Sequence, residues 1–193
     1  MKKTPLKIVA AAEELFRTQG YQGASLNDIT RKAKLSKGAF FHYYKDKGTI
    51  ANDVLRKYTE EHLLAPLRDP AVQSQPIKVV LMGWIGEIYT QFSAQHYRGG
   101  CLLGNWALEL SDNDEAMRTE IAQLFLALEN QLVGMLRPAA QAGKMIMEPR
   151  QFVRILIAAL QGTLMTTKAH KDKNRAAREF QALAEMIEWM IKD

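Results

Sequence analysis

Along almost the whole chain apolar residues return every three or four positions, and alternation with the two-residue period of a strand never runs beyond a few residues. The pattern predicts an all-α protein of about nine helices. The first starts at a Thr4 cap with Pro5 behind it and stops at Gly20; two short helices follow Ser25 and Ser36; a fourth runs from Asp46 to Leu64, ahead of Pro66. Pro66 to Gln75 reads as a connection, and longer helices are expected over 76–96, 101–110, 114–142, 149–169 and 174–191. Pro138 should kink or break the third of these.

The second and third helices carry the most information. Ser25 and Ser36 stand where a hydroxyl accepts a bond from an orphan amide, and Asp28 at the third helical position completes a capping box. Leu26, Ile29 and Ala33 make an inward stripe, with Arg31, Lys32 and Lys34 outside it. In the next helix Phe40 and Tyr44 bury together, which turns Lys37, Ala39, Phe41, His42 and Tyr43 to the other sides. Two short capped helices, basic outside and apolar inside, form a helix-turn-helix whose second helix enters the major groove. Lys37 is the expected base contact, to guanine, and Ala39 offers a small surface to a thymine methyl. Ser25, Ser36, Tyr43 and Lys47 are expected on phosphates, and Asn27, Phe41 and His42 complete the candidate DNA-binding set.

Charge agrees with that placement. Residues 1–50 hold ten Lys and Arg against four acids, a net +6, whereas the whole 193-residue chain carries +5. A basic head on a near-neutral body suits attraction to a phosphate backbone with salt-dependent affinity. The asymmetry marks a functional boundary near Asp46, with residues 1–47 as the DNA-binding domain and 48–193 as the body. No apolar run approaches the length of a membrane span, and the apolar stretch from Ile8 to Ala12 is too short for a signal peptide. With a single cysteine excluding an intrachain disulfide, these features favour the cytoplasm.

Over residues 5–60 the chain resembles the DNA-binding domain of the TetR family of bacterial transcriptional regulators. The resemblance rests on Ile8-Val9-Ala10-Ala11-Ala12-Glu13-Glu14-Leu15-Phe16, on Gly20-Tyr21, on the helix-turn-helix, and on Tyr43-Tyr44-Lys45-Asp46-Lys47. Two positions depart from it: Phe41 stands where a tyrosine is common and lacks its phosphate-binding hydroxyl, and Gly48 stands where helix formers are usual. The resemblance implies a homodimeric one-component regulator of transcription, a repressor rather than an activator, whose last two long helices pack against their twofold mates as a four-helix bundle. The apolar faces assigned to that interface are Phe152, Leu156 and Leu160 on one helix and Phe180, Leu183 and Ile187 on the other. Such a dimer sets two reading helices ~34 Å apart and calls for a palindromic operator.

The family's mechanism also implies a small-molecule effector that favours a DNA-released state. Trp84, Ile88, Phe92, Trp106, Phe125 and Leu128 supply the apolar lining of a pocket, with Cys101, and with Asn105, Glu109 or Gln161 for polar contacts; a plain core is the alternative reading of the same residues. Cys101 suggests a different trigger. It follows Arg98-Gly99-Gly100 at a helix start, where the helix dipole and nearby cations favour thiolate, and Gly100-Cys101-Leu102 resembles a segment of TetR-type regulators that sense electrophiles or oxidants. A third possibility is an architectural DNA binder without an effector. No catalytic residues, cofactor or metal are expected: His42, His62, His96 and His170 lack ligand spacing, and Gly99 to Gly104 lacks the register of a phosphate loop.

Overall fold

A computed structural model describes residues 3–192, and its architecture is all-α. Among the described residues the only extended pairing is an isolated antiparallel bridge between Met145 and Ile191. The helices are α1 (Lys3–Gly23), α2 (Leu26–Ala33), α3 (Lys37–Phe41), α4 (Lys47–Tyr58), α5 (Ala65–Arg68), α6 (Pro70–Gln73), α7 (Ile77–Ala94), α8 (Leu102–Leu110), α9 (Glu115–Gln141), α10 (Pro149–His170) and α11 (Lys173–Met190).

Three differences from the sequence pattern have local causes. Helix α4 does not run straight to Leu64; a π-helical stretch, Thr59–Leu64, follows it, and Pro66 then sits in the first turn of α5, where its missing N–H costs nothing. Part of the expected connection is helical too, because Asp69 accepts from the Ala71 amide and starts α6 at Pro70. Pro138 does not break α9, which continues to Gln141. So near the helix end the proline forfeits only the bond to the Gly134 carbonyl, and Gly134 adds no side chain there to crowd its ring. The cap expected at Thr4 lies outside the described side chains.

The chain divides into two compact units that do not follow a boundary at residue 47. The first comprises Met1–Glu61 with Leu102–Leu124, so α8 and the start of α9 join the N-terminal helices. In it α1 packs on α2, α4 and α8. Ile8, Phe16, Ile29, Phe40, Ile50, Leu55 and Trp106 are each at most 1% exposed, a core shared by all of these helices. Arg56 on α4 and Glu120 on α9 add a two-pronged ion pair at 2.6 and 2.8 Å, and that hydrogen-bonded guanidinium holds the Glu120 carboxyl below its usual range.

The second unit comprises His62–Cys101 and Phe125–Asp193. Here α11 packs on both α7 and α10. Tyr89 of α7 meets Phe180 of α11 at 5.0 Å between ring centroids, and Lys78 reaches Glu188 at 3.1 Å. The residues expected at a dimer interface lie in this core. Phe152, Leu156, Leu160, Phe180, Leu183 and Ile187 are all at most 5% exposed in the single chain, because the strongest apolar stripe of each helix serves the chain's own core.

Candidate nucleic-acid interface

Local chemistry fixes both ends of the helix-turn-helix. The Ser25 hydroxyl accepts from the Asp28 amide at 3.1 Å while the Ser25 amide donates to Asp28 Oδ2 at 3.2 Å, closing the capping box. Lys34 then ends α2 in the left-handed region, φ 55°, with Leu35 donating back to the Thr30 carbonyl. Ser36 Oγ accepts from the Ala39 amide and starts α3, and Asp46 Oδ1 accepts from Thr49 to start α4. These bonds favour the ionised acids: the Ser25 hydroxyl holds Asp28 below its ordinary pKa, and the Thr49 amide does the same for Asp46.

Inside, Phe40 and Tyr44 stack at 5.7 Å between centroids, and the Tyr44 hydroxyl donates to Asp53 at 3.1 Å. Burial, then the nearby Asp53 charge, pushes that phenol up to about 12. Tyr44 therefore remains a neutral donor at any physiological pH.

Outside, Lys37, Phe41 and His42 are exposed, as are Ser25, Asn27 and Ser36. Ala39 is half-buried, and Tyr43, also half-buried, meets the His42 ring edge-on at 4.9 Å. Lys47 is turned away from this surface. Its Nζ donates to the carbonyls of Tyr21 and Ala24 at 2.9 and 3.2 Å and lies 4.2 Å from the centre of the Tyr21 ring. Burial accordingly lowers the Lys47 pKa, with Glu109 opposing. The expected phosphate ligand is thus engaged as an internal clamp.

A second clamp was not foreseen. Gly20 interrupts α1 at φ 79°, ψ 172°, and the following turn exposes two amides that no helix carbonyl takes up. Glu109 of α8 accepts both, from Tyr21 N at 3.0 Å and from Gln22 N at 2.8 Å. A Cβ on Gly20 would fall 3.1 Å from Glu109 Oε2, so the glycine serves the approach as well as the bend. Beside it Trp106 stands edge-on to Phe16 and Tyr21, at 5.1 and 5.5 Å.

Trp106 and Asn105 therefore belong to the first unit, and Glu109 caps a turn instead of serving a ligand. The rest of the expected pocket set lies in the second unit: Trp84, Phe92, Cys101 and Leu128 are buried, and Ile88, Phe125 and Gln161 half-buried. The Trp84 indole N–H is buried without an acceptor. None of these residues lines a cavity of about 590 Å³ in the same unit, which is bordered by Gln73, Gln75, Ile77, Asn130, Gln131 and Met135. Cys101 is 5% exposed and follows a stretch in which His96, Tyr97, Gly99 and Gly100 all have positive φ. No group of three or more His, Cys, Asp or Glu side chains suited to a metal occurs among the described residues, and no described helix is long and apolar enough to cross a membrane.

Glu109→Gln tests the clamp. Glutamine turns an NH2 toward one of the two amides, so faster hydrogen exchange at Tyr21 and Gln22 is expected, with a stability loss of about 1–2 kcal/mol. Unchanged protection at both amides would show that the carboxylate does not hold the turn.

Comparison with known proteins matches this arrangement over most of the chain. The model for bacterial regulatory proteins of the tetR family covers residues 8–54, and that for the Tetracyclin repressor-like C-terminal domain covers 81–183. An HTH-type transcriptional regulator in the lacX 3′ region of Lactococcus lactis is 29% identical over 97% of this chain and 95% of its own length. The HTH-type transcriptional repressor DhaR of Mycobacterium sp. (strain GP1) is 26% identical, covering 90% and 87% respectively. Among solved structures, a regulator from Cytophaga hutchinsonii superposes with a TM-score of 0.82 at 22% identity, over 100% of this chain and 98% of that one. The reduced form of E. coli NemR does so with 0.79 at 22% identity, over 97% and 96%. With a capped helix-turn-helix in its basic head and family matches at both ends, the chain belongs to the TetR family of helix-turn-helix transcriptional regulators.

Proposed function

We propose that this regulator is a repressor that holds a palindromic operator as a homodimer and releases it when a small apolar or electrophilic effector binds. The outward face of α3 carries the reading: Lys37, Phe41 and His42 are exposed together on a helix whose start and inner face are fixed by Ser36, Phe40 and Tyr44. Lys37 contacts a base, Ala39 offers a small surface to a thymine methyl, and Ser25, Asn27, Ser36 and Tyr43 set the register on the backbone. Lys47 supports this surface from behind.

In a randomised duplex pool at modest ionic strength, the protein should enrich a palindrome with half-site centres about one helical turn apart. Lys37→Ala should weaken binding to that duplex by about 1–3 kcal/mol and relax preference at one base pair per half-site. No enrichment of any duplex would overturn the reading.

The dimer face proposed here is the side of α10 and α11 turned away from the core. Ile155, Ala158, Gly162 and Met165 follow one another at helical spacing on α10, opposite Phe152, Leu156 and Leu160. Ile155 is 44% exposed, Met165 55% and, on α11, Trp189 78%, apolar side chains that a partner could cover. Met165→Asp should yield folded monomers with poor operator affinity, read by light scattering and binding. A dimer that persists in this variant would move the interface elsewhere.

A second reading uses Cys101 as the trigger. Its supporting observation is position: the thiol directly precedes α8, the helix whose Glu109 and Trp106 hold the turn ahead of the reading helices. NemR, a related repressor, is described in a reduced form, which fits a family member whose state depends on redox chemistry. Cys101→Ser should abolish operator release by quinones or aldehydes, and unchanged release would leave reversible ligand binding as the trigger.

A further inference from the structure

We infer that Phe41 reads a thymine methyl in the operator, next to the base pair met by Lys37. The inference rests on the DNA-binding reading above and adds to it a base preference and the residue that sets it. Phe41 is 53% exposed, whereas its neighbour Phe40 is 1% exposed, so the inner ring goes to the core and the outer one to the surface of α3. Their centroids lie 5.5 Å apart with planes at 89°, and the buried ring thereby braces the outer one. Phe41 is fixed in direction and uncovered.

Its surroundings point to one occupant. Lys34, Lys37, His42 and Lys45 are exposed on the same segment, a setting that draws in a polyanion and repels a cationic partner. A phenyl ring has no donor for a phosphate oxygen. The one apolar group that base edges present in the major groove is the thymine C5-methyl, so a base contact by this ring is a contact with that methyl. Lys37 and Phe41 lie one turn apart on α3, an axial rise of about 6 Å, which matches a spacing of one or two base pairs. The half-site should therefore hold a guanine and a thymine within about two steps of each other.

The test uses the duplex enriched from a randomised pool by the wild-type protein. Each thymine is replaced in turn by deoxyuridine, which removes only the methyl. One position per half-site should lose about 4-fold in affinity, the equivalent of one buried methyl group. Phe41→Ala should bind the thymine duplex more weakly and be indifferent to deoxyuridine at that position, with only a small fall in melting temperature because about half of the ring is exposed. If no single deoxyuridine weakens the wild type, or if Phe41→Ala loses the same factor on both duplexes, the ring rests on the sugar-phosphate backbone and the inference fails. A pool without any preferred duplex would instead overturn DNA binding by this surface altogether.

Discussion

The turn between α1 and α2 is the constraint on which the head of this protein depends. Helix α1 kinks at Gly20, and the chain enters α2 at the Ser25 cap, four residues after Tyr21. Two oppositely charged side chains tie the turn down: Glu109 accepts from the Tyr21 and Gln22 amides, and Lys47 donates to the Tyr21 and Ala24 carbonyls. Each charge is used on backbone dipoles, and charge-assisted bonds of this kind are the strong ones. Because Ala24 immediately precedes the Ser25 cap, fixing its carbonyl also fixes where α2 begins.

What could be read from the sequence were features settled within four residues. The Ser25–Asp28 box, the Ser36 and Asp46 caps and the Phe40–Tyr44 pair all appear where their spacing placed them. Glu109 could not be read this way, since 88 residues separate it from Tyr21 and a glutamate on a helix next to tryptophan suits a pocket equally well. One signal did exist: Gly20-Tyr21 marked a turn with amides in need of an acceptor, though nothing local named it. Lys47 is ambiguous for a similar reason, because a lysine at a helix start near the helix-turn-helix fits a phosphate as well as it fits the two carbonyls it meets in the free chain.

The last two long helices show the limit of periodicity in another form. Helix α10 carries two apolar stripes, one through Phe152, Leu156 and Leu160 and one through Ile155, Ala158 and Met165. The first has larger and more regular side chains, and it is the one the chain buries in itself. The stripe with most to gain from burial goes to the intrachain core, and the weaker one remains outside. A pattern of this kind says that a face is covered without saying by what.

The same division of labour accounts for the reading surface. Tyr44 is tied to Asp53, Arg31 to Asp28, Lys32 to Glu14 and Lys47 to the turn, so most polar groups near α3 already have partners in the free protein. Lys37 is exposed, and among the described residues no acidic side chain holds it. A base contact made by such a side chain sacrifices no intramolecular bond, whereas recruiting Lys47 would mean breaking two. On the proposed reading, specificity could be changed at Lys37 or Phe41 without loosening the head, since the residues that position α3 and those that face outward from it are different residues.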